Sequence, residues 1–138
     1  MALTVTAGEA MMASPAPAAA PMGSRDGAAA EVRVVMRGQR FFPARVESTV
    51  GDTVVFVLES GAPHNVAFER DSIPAGALSP LARALGGDEK YLFSKDMVLI
   101  PGETIAVATA ELPPGRYVFY CAPHYGGGMR GELVLRAR

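Results

Sequence analysis

Beyond residue 30 the apolar positions fall in short runs with a loose period of two, broken by Gly and Pro. "EVRVVMR" (31–37) alternates and predicts a strand. "RFFPARVESTV" follows, and its Pro43 suits an edge or a bulge better than a central strand. "GDTVVFVLES" predicts a turn and then a β-branched, aromatic strand, and "HNVAFE" a further short one. "KYLFSKDMVLIPGETIAVATAEL" predicts two strands around the turn "PGE". "PPGRYVFYC" rises out of a Pro-Pro-Gly turn, and "GELVLRAR" is the last strand. Short strands at this spacing imply an all-β sandwich or barrel with antiparallel pairing. One stretch breaks the pattern. "LSPLARALGG" predicts a short helix, with Ser79 as cap, Pro80 in the first turn and Gly86 at the stop. The aromatic residues Phe56, Phe68, Tyr117 and Phe119 are expected in the core.

The first thirty residues are rich in Ala, Pro, Gly and Met and carry no aromatic residue or sustained period. They imply a disordered extension or tether (1–30) ahead of a single domain (31–138). Met11, Met12 and Met22 in that stretch are dispersed and are not read as a metal-binding tract.

Charge narrows the partners. Thirteen Lys and Arg against 14 Asp and Glu give a net charge of −1, which offers no electrostatic footing for nucleic acid or an anionic membrane. No apolar run is long enough to span a bilayer. The single cysteine excludes an internal disulfide.

The chemistry concentrates in "CAPHYGGGM" (121–129), which holds that cysteine and one of the two histidines. Taken singly, Cys121 reads as a buried hydrophobe, His124 as a solvated loop residue and Met129 as core. Together they lie in one short loop between strands. Pro123 stiffens it, and Gly126, Gly127 and Gly128 let it wrap tightly around a point. A soft thiolate, a borderline imidazole and a soft thioether suit copper in both oxidation states. Zinc seldom takes Met. A trigonal copper site with a weak axial Met needs a second imidazole, and His64 in "SGAPHNVAF" is a feasible fourth ligand. Cysteine–histidine catalysis lacks an orienting third group, and no spare histidine supplies an open position, so the chain reads as no enzyme. Three readings stay open here: one-electron transfer, copper carriage or storage, and a metal-free structural sandwich.

"YVFYCAPHYGGGMRGELVL" and "SGAPHNVAFERDSIPAGA" resemble the two copper-binding segments of plastocyanins, in the cupredoxin family, with Cys-x2-His-x4-Met spacing. "PGETIAVATAELPPGRYVFYC" resembles the approach to the cysteine, and the similarity runs from about Glu31 to Arg136. The resemblance implies an eight-stranded Greek-key cupredoxin β-sandwich with one type 1 (blue) copper and a role in shuttling single electrons. It implies His64, Cys121 and His124 as in-plane ligands and Met129 as the axial one. Asn65 would tie the two ligand loops together, the amide after His64 would donate to the Cys121 sulfur, and Pro63 and Pro123 would flank the site. Gly61, Pro63, Pro123, His124, Gly126 and Gly127 would form an apolar patch for electron transfer, with Tyr120 on a lateral face. The implied partners are transient redox proteins such as a cytochrome or an oxidase. The expected protein is a monomer, periplasmic or otherwise exported, either free or held by a membrane tether through its N-terminal segment. In "ERDS" the charges of Glu69, Arg70 and Asp71 offset one another, and Arg40 and Arg130 lie near the patch. A partner with acidic groups around its redox centre is therefore expected.

Overall fold

The computed structural model describes residues 29–138, so the expectations for residues 1–28 lie outside it. Eight strands form two four-stranded sheets. In chain order they are β1 (Glu31–Arg37), β2 (Arg40–Phe42), β3 (Arg45–Thr49), β4 (Thr53–Leu58), β5 (Ala67–Phe68), β6 (Thr104–Ala108), β7 (Gly115–Tyr120) and β8 (Arg130–Arg136). One sheet runs β2-β1-β4-β6 and the other β3-β8-β7-β5. Period-two alternation sends one face of each sheet inward. Val34 and Met36, Val54, Phe56 and Leu58, Tyr117 and Phe119, and Leu133 and Leu135 are all buried there. Phe119 meets Phe41 and Phe56 edge to face, with ring centroids 4.8 and 5.2 Å apart. The expected aromatic core is in place.

Pairing is not wholly antiparallel. β1 runs parallel to β4 and β3 parallel to β8. The cause lies in "RFFPARVEST". Pro43 cannot donate to a ladder, and the run divides there into β2 in one sheet and β3 in the other. The crossing places β4 beside β1 in the same direction.

Two further expectations need correction. "KYLFSKDMVLI" forms no continuous strand. It runs beside residues 64–68 through isolated bridges, His64 to Val98 and Ala67 to Phe93. Between them the Val66 amide donates to the Ser94 hydroxyl at 3.2 Å, and that hydroxyl donates on to the Asp96 carbonyl. A polar side chain thus occupies the ladder and interrupts it. The helix α1 is Leu78–Leu85, and its N-cap is Ala77 rather than Ser79. A backbone turn, with the Ala77 amide on the Pro74 carbonyl, starts it one step earlier. Ser79 instead accepts from Arg83 across one helical turn. Gly86 ends the helix in the left-handed conformation, as expected.

The two ends of the sandwich differ. The links after β1, β4 and β7 and the link before β6 all gather at one pole. Asp52, Thr109 and Ala30 lie at the other.

Candidate metal centre

His64 arrives at the first pole on the loop leaving β4, and Cys121 directly follows β7. His64 thus lies on the segment that crosses from one sheet to the other, just ahead of β5, which pairs with β7. The Cys121 sulfur lies 3.5 Å from His64 Nδ1 and 3.4 Å from His124 Nδ1. The three donor atoms all fall within 4.8 Å of one another. The imidazole rings face each other at 4.9 Å between centroids, tilted by 58°. His64, Cys121 and Met129 are fully buried, and His124 is half-buried.

The orientation of His64 is fixed by the backbone. Its Nε2 donates to the Ser60 carbonyl at 2.8 Å, so the proton resides there and Nδ1 keeps a free lone pair aimed at the sulfur. Val98 clasps the main chain of the same residue on its other side, with paired bonds of 3.1 and 2.8 Å. Burial pushes the His64 ring down in pKa, against its bond to the Ser60 carbonyl, and so favours the neutral, ligating form. Burial pushes the Cys121 thiol up, while the backbone amides of Asn65 and His124 act in favour of the thiolate. A buried thiol with the Nδ1 atoms of two imidazoles beside it is an arrangement that a soft or borderline cation completes.

The loop that follows Cys121 is closed on itself. After Cys121 the chain turns through Ala122–Gly127 in 3-10 conformation, kinked at His124. The Cys121 amide donates to the Met129 carbonyl at 3.1 Å, and the Met129 amide donates to the His124 carbonyl at 3.3 Å. Cys121, His124 and Met129 are therefore held in one short backbone ring. Asn65 joins this loop to the first one. Its side-chain oxygen accepts from the Ala122 amide at 2.8 Å, and the residue is buried.

Close approach explains two of the glycines. Gly61 has φ +83°, and a Cβ there would lie 2.3 Å from the Gly38 carbonyl oxygen. A Cβ on Gly127 would lie 2.1 Å from the Gln39 side-chain oxygen. These contacts press the loops that carry His64 and His124 against the β1–β2 turn. Pro63 offers its carbonyl 4.0 Å from the Cys121 sulfur. Pro123, Gly126 and Gly127 are exposed around His124.

Sequence reasoning missed Ser60, because its role is played by a main-chain carbonyl that carries no residue signature. It also missed Gln39, which only the fold brings to the loop. The expected positive rim is weaker than its residues suggest. Arg130 is ion-paired with Glu69 at 2.6 Å, and Arg40 forms no ion pair among the described residues. Arg70 donates to the Glu89 and Lys90 carbonyls instead of offsetting Glu69 directly. Tyr120 is half-buried on the lateral face, and its hydroxyl is pushed up in pKa by burial and by Glu69 and Tyr125.

Comparison with known proteins bears on the same residues. Residues 28–136 match the family described as copper binding proteins, plastocyanin/azurin family. The chain is 35% identical to the chloroplastic plastocyanin of Pisum sativum over 136 residues, covering 98% of this chain and 69% of that protein. It is 38% identical to plastocyanin A'/A'' of Nicotiana tabacum over 98 residues, which is 71% of this chain and 89% of that one. Oxidised plastocyanin from Dryopteris crassirhizoma superposes with a TM-score of 0.57 at 27% identity, covering 76% of this chain and all of the other. A sandwich of this topology, a histidine–cysteine–histidine cluster at its pole and these relatives agree: the chain belongs to the plastocyanin/azurin family of copper-binding proteins, electron carriers rather than enzymes.

Proposed function

We propose that His64, Cys121, His124 and Met129 hold one copper ion, and that redox partners dock over the exposed edge of His124. The observation that carries this reading is the convergence of both Nδ1 atoms on the Cys121 sulfur within 3.5 Å. Copper bound there supplies one-electron chemistry by cycling between Cu(I) and Cu(II). The chain's own part is to hold one geometry through that cycle. Ser60 fixes the tautomer of His64, Asn65 locks one ligand loop to the other, and the closed 121–129 ring keeps His124 and Met129 in register with the sulfur. Burial of His64, Cys121 and Met129 excludes water from three of the four donors. Such closure favours repeated electron exchange over delivery of the ion.

The docking surface on this reading comprises Gly61, Pro63, Pro123, Gly126 and Gly127 around His124, with Tyr120 at its lateral margin. Its small residues let a partner approach the imidazole edge, and brief, small contacts release quickly. The protein exchanges electrons with redox partners; we take these to be a cytochrome or an oxidase meeting a monomer. We place the protein outside the cytosol, in the periplasm. Residues 31–138 form the working domain on this reading, and 1–30 a tether. The domain is entered at Ala30, whose amide is bonded to Asp52 at the pole opposite the ligands. A tether attached there leaves the electron-transfer face free.

The test is a visible spectrum of the purified chain with one equivalent of Cu(II). An intense blue band that bleaches with reductant and returns with oxidant is the expected result. Folded protein that stays colourless would remove the four-ligand assignment.

A further inference from the structure

Three of the seven large apolar side chains exposed among the described residues, Tyr91, Phe93 and Tyr125, converge on one recess of about 540 Å³ on the lateral face. Its walls are two ring pairs. Tyr91 and Phe93 stack at 5.6 Å with planes 27° apart. Tyr120 and Tyr125 meet edge to face at 5.0 Å. Buried Phe68 and Leu92 lie beneath. The volume falls in the range of small-molecule sites, and apolar ring walls with a few polar groups are what such sites present. The second wall has a particular origin: Tyr120 directly precedes Cys121, and Tyr125 directly follows His124.

We propose that this recess binds a small planar hydroxylated ring, of the phenol or hydroquinone class, as a one-electron donor. Ring faces and edges offer stacked and edge-on partners to a planar aromatic molecule. Most of the rim's formal charge is already engaged, with Lys90 Nζ over the Tyr91 ring at 5.4 Å from its centroid, which suits neutral hydroxyl groups better than a formally charged ligand. Glu69 is already paired with Arg130, and the Arg70 guanidinium is turned to main-chain carbonyls. The Asp71 carboxylate makes no ion pair among the described residues and is an acceptor for a hydroxyl proton. On transfer the ring loses one electron and one hydroxyl proton. The electron enters the oxidised copper centre and the proton passes to Asp71 and on to water. The neutral semiquinone of a hydroquinone then departs, gives its second electron to another oxidised copy and its remaining hydroxyl proton to water, and ends as the quinone. Binding stands on the recess alone, whereas the transfer step rests on the copper reading above.

Hydroquinone added to the reduced, copper-loaded protein tests binding without chemistry. Ring signals of Tyr91, Phe93, Tyr120 and Tyr125 should shift saturably in NMR, with Kd of about 1 mM, as suits so small a ligand. The double variant Tyr91→Ala/Phe93→Ala changes two exposed side chains and should weaken binding at least tenfold. Reduction of the oxidised protein by hydroquinone should saturate with concentration. In the variant it should lose saturation, with the blue band and the rate of reduction by ferrocyanide unchanged. Absent shifts, shifts confined to residues around His124, or equal affinity in the variant would overturn the site. Saturable binding with identical reduction rates in the two proteins would overturn the donor role. A chain that binds hydroquinone when metal-free but never turns blue would sink the copper reading and leave the recess standing.

Discussion

The two poles of the sandwich treat buried polar groups in opposite ways. At the far pole every such group is spent. Asp52, fully buried, accepts from the Ala30 amide, the Thr49 amide and the Ser48 hydroxyl, and its main-chain carbonyl accepts from Thr109. Tyr117 donates to the Pro113 carbonyl at 2.6 Å, and burial pushes its hydroxyl up to about 12. At the near pole His64 and Cys121 are just as buried, yet the His64 Nδ1 and the Cys121 sulfur meet only in long contacts, at 3.5 Å from each other, with His124 Nδ1 at 3.4 Å and the Pro63 carbonyl at 4.0 Å from the sulfur. A buried group left short of partners costs stability. The difference teaches where to look for function: spent polar groups hold the fold together, and unspent ones wait for something that binds.

Substitutions can break this contrast from either side. Cys121→Ser should abolish the visible band completely while changing metal-free stability by only about 1 kcal/mol, because a hydroxyl still finds imidazole acceptors. An intense band surviving in that variant would remove Cys121 from the site. Asp52→Asn should do the reverse. Its amide has one acceptor oxygen, so it cannot serve both Ser48 and Thr49 on one side and Ala30 on the other, and the loss should be about 1–3 kcal/mol in denaturant unfolding, with the band intact. Asp52 adds a pH signature. Burial opposes its charge, but hydrogen bonds from Thr49, Ala30 and Ser48, with Arg138 nearby, hold its carboxyl below the usual range. A carboxylate depressed in the folded state contributes stability above its unfolded pKa and loses it as pH falls through the folded one. Unfolding measured from about pH 4 downward should show that decline in the parent and a flatter profile in the variant.

Asn65→Ala sharpens the contrast, since that residue serves both ends of the argument between stability and colour. Freeing the Ala122 amide should cost about 1 kcal/mol, and the band should persist with a shifted maximum and reduction potential. An unchanged spectrum would make the bridge structural only. The smallest effect belongs to Arg130→Gln. Its pair with Glu69 is half exposed, so stability should change by at most about 1 kcal/mol. The salt dependence of electron exchange with a partner should scarcely move. A strong change would restore Arg130 as a steering charge.

The site was far more legible in the sequence than the connections that build it. With two histidines and one cysteine in the chain, soft donors could be assigned to few places, and Cys121, His124 and Met129 are joined by local spacing. Strand positions were readable because side-chain alternation is local too. What escaped is non-local or carried by main chain. The parallel pairing of β1 with β4 depends on the chain crossing between sheets at Pro43, which no alternation encodes. The broken run at Ser94 looked like a strand because its apolar residues alternate, while a hydroxyl decides the pairing. The Ser60 carbonyl has no identity in sequence at all. Tyr91 and Phe93 read as strand residues, and only the fold turns them outward beside the ligand loop.

The place of His64, on the segment that crosses from β4 in one sheet to β5 in the other, has a practical consequence. The colour of the copper-loaded protein would be an optical strain gauge for that crossing. Parting of the sheets draws on the crossing segment and pulls its imidazole from the thiolate, while β5 and β7 remain paired within their own sheet. Bleaching in a rapid-mixing or pulling experiment would therefore time the stretching of this one link, apart from the melting of either sheet.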